Sequence, residues 1–213
     1  MTLHRRGFAL AVVVLAAAVL GSPAWAGTPT EQLKSQIDRV LKVLDDPDLK
    51  KENRASDRRA SVRRIANDIF DFSETAKRSL ARHWQSRTPA EREEFVQLFG
   101  DLLERSYISK IELYGGEKIG YIGESMDGDL ATVRTRIVTR HGSEIPIDYK
   151  MHHLGSRWLV YDVTIEGVSL VANYRTQFNK IIQTSSYAEL VKRMKTKQEE
   201  FLEDERQRRT SQK

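Results

Sequence analysis

The sequence has no cysteine. Disulfide staples, thiol nucleophiles and cysteine metal sites are therefore excluded, and the fold must stand on its own core. Proline (5) and glycine (12) are sparse among 213 residues, and no Gly/Pro-rich linker divides the chain after its first stretch. A single domain is the expectation. Neither sign of charge dominates: 35 lysines and arginines stand against 30 aspartates and glutamates. A dedicated nucleic-acid binder would be far more basic on one face. There is no P-loop, no dinucleotide fingerprint and no internal repeat. Long apolar runs are lacking too, with one exception at the start.

That exception is "HRRGFALAVVVLAAAVLGSPAWA". Arg5 and Arg6 precede an uncharged run of 13 residues, Phe8 to Leu20, where a membrane-spanning helix needs roughly 20. Ala24-Trp25-Ala26 supplies a cleavage site. The reading is a secretory signal over residues 1–26, removed on export, followed by one domain over 27–213.

Helical signals come next. Thr28-Pro29-Thr30-Glu31 reads as an N-cap, a proline at the first helical position and a capping-box glutamate. Leu33, Ile37, Val40, Leu41 and Leu44 then share a face, and Pro47 closes the segment. Val62, Ile65, Ala66, Ile69 and Phe70 form a second stripe. Ser73 is the expected cap of a short helix with Ala76, Leu80 and Trp84. Thr88-Pro89-Ala90-Glu91 repeats the cap signature and opens a longer helix with Phe95, Leu98, Phe99, Leu102, Leu103 and Tyr107 inward.

The period then changes to two. Residues 119–125, 130–139, 144–153 and 158–165 read as four strands joined by "MDGD", "RHGS" and "LGSR", all hairpin chemistry. Ile145, Ile147, Tyr149 and Met151 share one face; so do Leu159, Tyr161, Val163 and Ile165. An antiparallel meander with one oily face, covered by helices, follows. A helix from about Val168 to Ile182 comes after it. Ser186 and Glu189 open a last one, and residues 203–213 form a charged tail expected to fray.

Chemical motifs are weak. His152 and His153 are strand neighbours on opposite faces, so they cannot share a metal, and no metal site or cofactor is expected. "DGD" (Asp127 to Asp129) lacks the rest of a calcium loop and reads as a turn. Ser169 lacks a nucleophile elbow. Asp148, Asp162 and Glu166 would serve an acid/base pocket, but alternation puts them opposite the oily face as solvated charges. No catalytic residue is assigned and no enzyme is expected. The run Lys50–Arg64 holds seven basic residues against Glu52 and Asp57. It is either a wet helix face or a docking patch made by Lys50, Lys51, Arg54, Arg58 and Arg59.

"RWLVYDVTIEGVSLVANYRTQFNKII" (157–182) crowds apolar side chains at a strand–helix junction. Periodicity does not separate a filled core from a lined cavity. Two stretches resemble the MlaC family of periplasmic phospholipid-binding proteins, also called toluene-tolerance proteins. One is "LARHWQSRTPAEREEFVQLFGDLLERSY" (80–107). The other is "VRTRIVTRHGSEIPIDYKMHHLGSRWLVYDVTIEGVSLVANYRTQFNKII" (133–182). A hopanoid-associated branch is similar too.

The resemblance implies an α+β fold: a four-stranded antiparallel curved sheet covered by helices, partly NTF2-like, with an internal apolar cavity. It implies a soluble periplasmic carrier that does no chemistry on its lipid and serves outer-membrane lipid asymmetry. Its partners would be phospholipid, an outer-membrane lipoprotein complex and an inner-membrane ABC transporter with an MCE-domain component. Face alternation and helical stripe then nominate a wall of Phe99, Leu103, Tyr107, Val133, Ile147, Tyr149, Tyr161, Val163, Ile165, Val168, Val171, Tyr174 and Phe178. The rival readings are a carrier of hopanoid or another lipid, an NTF2-like enzyme, and an adaptor with a filled core.

Overall fold

The computed structural model describes residues 27–211. The leader expected over 1–26 lies outside the described residues. α1 (Pro29–Asp45) begins with a complete capping box: the Thr28 hydroxyl accepts the Glu31 N–H at 3.2 Å, and the Glu31 carboxylate accepts the Thr28 N–H at 2.8 Å. α2 (Ala55–Ile69) and α3 (Phe72–Leu80) follow. α4 (Pro89–Ile111) repeats the box with Thr88 and Glu91.

Asp71, not Ser73, caps α3; its carboxylate accepts the Glu74 N–H at 2.8 Å. The cause is tertiary. Phe70 bridges Val160, and the Asp71 N–H donates to the Val160 carbonyl at 2.9 Å. This holds Asp71 in the extended conformation an N-cap needs.

The sheet is antiparallel in the order β1 (Lys118–Asp127), β2 (Leu130–Val138), β3 (Glu144–Leu154), β4 (Arg157–Ile165), β5 (Val168–Ser169). It has five strands rather than four. β5 pairs with the end of β4, Ile165 against Val168. Its turn, Glu166-Gly167, has φ of 49° and 82°, the left-handed pair of a two-residue hairpin. Two residues are too few to display a period, so the sequence reads Val168 as the helix start; α5 begins at Leu170 and runs to Thr184.

A bulge also separates expectation from structure. Lys150 pairs with Asp162 but Met151 pairs with Val160, which leaves Tyr161 as an extra residue. The alternation of β4 therefore flips at Tyr161. Trp158 and Val160 face the core before it, and Val163 after it. Leu159 and Tyr161 do not share that face.

Two apolar clusters organise the molecule. In the first, Leu33, Ile65 and Ile69 of α1 and α2 cover Ala131, Val133, Ile147, Met151, Trp158, Val160 and Val163 of the sheet. In the second, α3, α4, α5 and α6 (Tyr187–Ser211) meet through Leu80, Phe95, Phe99, Phe178, Leu190 and Met194. A small third cluster, Leu44, Val62 and Ile108, joins α1 and α2 to the end of α4. α6 stays helical past Glu203, beyond its apolar positions.

Candidate functional site

Nine of the thirteen nominated wall residues divide between the two large clusters. Val133, Ile147 and Val163 are buried in the sheet cluster, with Tyr149 and Ile165 half-buried at its margin. Phe99 and Phe178 are buried in the helical cluster, with Leu103 and Tyr174 at its margin. Val171 is buried at the start of α5, and Tyr107 is half-buried about five turns into α4. Two nominations fail. Val168 is 58% exposed because it sits on the edge strand β5. Tyr161 is buried, but the bulge turns it away from the sheet cluster: the Arg78 guanidinium lies 4.0 Å above its ring, and His152 packs edge-on at 5.9 Å.

The helical cluster is a set of rings in close contact. Phe99 meets Tyr174 at 5.0 Å and Phe178 at 5.2 Å, both edge to face, which is the favoured geometry for aromatic pairs. Its deep part is filled core. The margins differ. Tyr107 and Tyr174 from α4 and α5 lie near one another, and burial pushes both phenols above their ordinary range. From the sheet, Tyr121 and Tyr149 do the same; burial raises Tyr149 to about 12. The Tyr121 hydroxyl is buried without a hydrogen-bond partner, an unusual state for a polar atom and a costly one. Two apolar clusters thus present half-buried margins, each carrying tyrosines.

A pocket of about 20 Å³ lies elsewhere, under α1 and lined by Gln32, Leu33, Asp68 and Trp158 among others. It has room for a water, not for an organic ligand, whose sites run to roughly 300–1,000 Å³.

Asp162 is the residue the sequence misplaced most. It is only 5% exposed, not a solvated strand charge. It accepts the Ser169 hydroxyl at 2.7 Å, the Val171 N–H at 3.1 Å and the Lys150 ammonium at 3.2 Å. Ser169 in turn caps α5, accepting the Ala172 N–H at 3.0 Å. The carboxylate sits where the N-terminal end of α5 favours negative charge. Its acceptor capacity is spent on structure. Glu166 is exposed in its turn, and Asp148 stands opposite Arg134 on the other face.

The basic run is largely self-neutralised. Lys50 pairs with Asp45, Lys51 with Asp48 and Arg54 with Asp57, all exposed. Arg58 and Arg59 are a correction: they are not wet. Both reach Glu112 after α4, at 3.1 and 2.9 Å, and Arg58 also donates to the Leu49 carbonyl. Helical spacing assigns them to the wet side of the Val62, Ile65 and Ile69 stripe, and nothing local names Glu112 as partner, 54 residues from Arg58. His152 pairs with Asp71 at 3.0 Å, and His153 packs on Trp158. Among the described residues no group of His, Asp or Glu is placed to hold a metal, and no helix is long and apolar enough to cross a membrane.

Comparison with known proteins adds four findings. The family description "MlaC protein" matches residues 34–196. The intermembrane phospholipid transport system binding protein MlaC of Haemophilus influenzae is 24% identical over 138 residues, 61% of this chain and 64% of that protein, so less than two thirds of that relative is spanned. The toluene tolerance protein ttg2D of Pseudomonas putida is 24% identical over 86% of this chain and 84% of its own. Among solved structures, the phospholipid-binding protein from Ralstonia solanacearum, determined in complex with a phospholipid, superposes with a TM-score of 0.67. It covers 78% of this chain and 94% of that one at 24% identity.

Proposed function

The chain belongs to the MlaC family of phospholipid-binding transport proteins, and on that premise we propose that it is a periplasmic carrier. It takes the acyl chains of a phospholipid between the sheet cluster and the α4–α5 margin, and it shuttles lipid between an outer-membrane lipoprotein complex and an inner-membrane ABC transporter with an MCE-domain component. The observation that carries this reading is the divided core: two apolar clusters with no common member, whose margins hold Tyr149 and Ile165 on one side and Leu103 and Tyr174 on the other. A protein with one filled core would not need two half-buried apolar margins.

The energetics require enclosure. Each methylene kept from water is worth about 0.8 kcal/mol, so two chains of about 15 methylenes cost on the order of 20 kcal/mol to expose. The headgroup can stay wet. Tyrosine suits the boundary, with an apolar ring and a hydroxyl that takes a polar partner. The unpartnered hydroxyl of Tyr121 is a donor available to a glycerol or phosphate oxygen.

Native mass spectrometry of protein purified without detergent tests the proposal. The expected spectrum shows phospholipid bound, and that lipid passes to acceptor vesicles over time. Protein that carries no lipid and transfers none overturns the carrier reading in favour of an adaptor with a filled core.

A further inference from the structure

The segment "KIELYG" (110–115) ends α4, and its apolar residues part company. Tyr114 turns inward and packs with Leu44, Val62 and Ile108. Leu113 turns outward and is 80% exposed, with Ile111 beside it at 38%. The backbone is held, not slack: the N–H groups of Glu112, Leu113 and Tyr114 donate to the carbonyls of Ile108, Lys110 and Ile111 at 2.9, 3.2 and 3.1 Å. Arg58 and Arg59 grip Glu112 from α2. A leucine is therefore displayed to solvent on a braced turn.

Cations stand near it in the chain or in the fold. Lys110, Lys118 and Arg140 are all exposed. Arg140 comes from the β2–β3 turn and lies across Gly115; a Cβ there would stand 2.7 Å from its guanidinium. A side chain at position 115 would push the arginine aside. The carboxylates at the tip are already engaged: Glu112 by its two arginines, and Glu117 by the Gly115 N–H at 2.7 Å.

We propose that this tip is a bilayer-docking element: Leu113 and Ile111 enter the acyl boundary of a membrane with anionic headgroups, while Lys110, Lys118 and Arg140 lie at its phosphates. The proposal rests on the carrier reading and names the surface at which that carrier loads. A convex turn with two apolar side chains is too small for the apolar centre of a stable protein interface, which buries about 800 Å² per partner. Protein interfaces are also poor in lysine. A fluid bilayer accepts a convex apolar tip, and long cationic side chains spread along its headgroups. The position fits as well. The Lys110 ammonium lies 5.4 Å from the Tyr107 ring, so the tip adjoins the tyrosine margin that would receive the lipid.

Vesicle flotation tests it with the mature protein. Wild type is expected to float with vesicles of phosphatidylethanolamine containing phosphatidylglycerol, to be released by salt, and to ignore pure phosphatidylcholine. Leu113→Glu should abolish flotation. Lys110→Glu with Arg140→Glu should weaken it by at least about fivefold per cation removed. Wild type that stays unbound to the anionic vesicles, or a Leu113→Glu variant that floats normally, overturns the proposal. So does a tip variant whose only defect is in transfer to isolated partner complexes, which would make the tip a protein contact. Native mass spectrometry of the same preparations separates the two readings: absent lipid strikes the carrier, whereas bound lipid without flotation strikes the tip alone.

Discussion

The Asp162 carboxylate accepts the backbone N–H of Val171 at 3.1 Å, fastening the first turn of α5 to β4. Everything α5 contributes to the helical cluster, Tyr174 and Phe178 above all, is set by where that turn begins. The buried anion therefore fixes the distance between the two apolar margins.

Replacing it tests that role. Asp162→Ala leaves the Ser169 hydroxyl, the Val171 N–H and the Lys150 ammonium without their common acceptor. Losing one member of a buried charged network costs about 3–5 kcal/mol. Asp162→Asn, which keeps an acceptor oxygen, should lose less than half as much. Urea unfolding measures both. An alanine variant as stable as the parent would mean that packing alone seats α5.

The same residue marks how far the sequence was legible. Strand and helix periods located β1 to β4 and the capped starts of α1 and α4, because those signals are local. The MlaC resemblance carried the fold further, and comparison bore it out. What stayed hidden depends on tertiary pairing. A single extra residue at Tyr161 reversed the face of everything before it on β4. That made Tyr161 look like a wall. Asp162 lies past the bulge, opposite Val163 as alternation has it, and its burial comes from Lys150, Ser169 and Val171, which alternation does not report. The cap of α3 moved to Asp71 for a similar reason, since its conformation is set by Val160. The nominated wall residues that join a cluster fall into two clusters rather than one. Alternation gives a face but not which of two clusters a face joins.

The charged run yields a second prediction. Arg58 and Glu112 are 18% and 11% exposed, whereas Lys51 and Asp48 are 62% and 77% exposed. Hydrogen bonds to charged groups are worth about 1.5–3 kcal/mol when sheltered, and exposed pairs little. Glu112→Ala should therefore destabilise by about 2 kcal/mol, and Lys51→Ala by less than about 0.5 kcal/mol. Chemical denaturation of the two variants under one buffer makes the comparison. Equal effects would return Arg58 to the wet face that helical periodicity assigns it.

Stability should also fall at alkaline pH, and Tyr149 should be part of the cause. Burial raises its phenol from 10.0 to about 12. Between those values the unfolded chain ionises while the folded chain keeps its proton, so the unfolded state binds fewer protons. Stability is then full below the unfolded value and is lost as pH rises through the folded one, at up to about 1.4 kcal/mol per pH unit. Tyr149→Phe should flatten that part of the profile. Tyrosinate absorbance, followed against unfolding, would reveal the contrary case of a Tyr149 that titrates early and freely.

Filling the margins distinguishes a lipid site from solid core. Phe99 touches Phe95, Tyr174 and Phe178 with ring centroids at 5.7, 5.0 and 5.2 Å. Truncating it to alanine should cost about 3–5 kcal/mol, as buried aromatic rings do, and any loss of lipid would follow from loss of fold. Ile165 and Leu103 are only half-buried. If the carrier reading holds, a tryptophan at either position would extend into the acyl-chain path rather than into close-packed core. Ile165→Trp and Leu103→Trp should keep stability within about 1 kcal/mol of the parent, below the usual cost of overpacking a core. Each should nonetheless strip phospholipid from protein purified without detergent, because the added ring occupies the path of an acyl chain. If instead both tryptophan variants retain lipid while unfolding easily, the margins are core and the acyl chains lie elsewhere on the molecule.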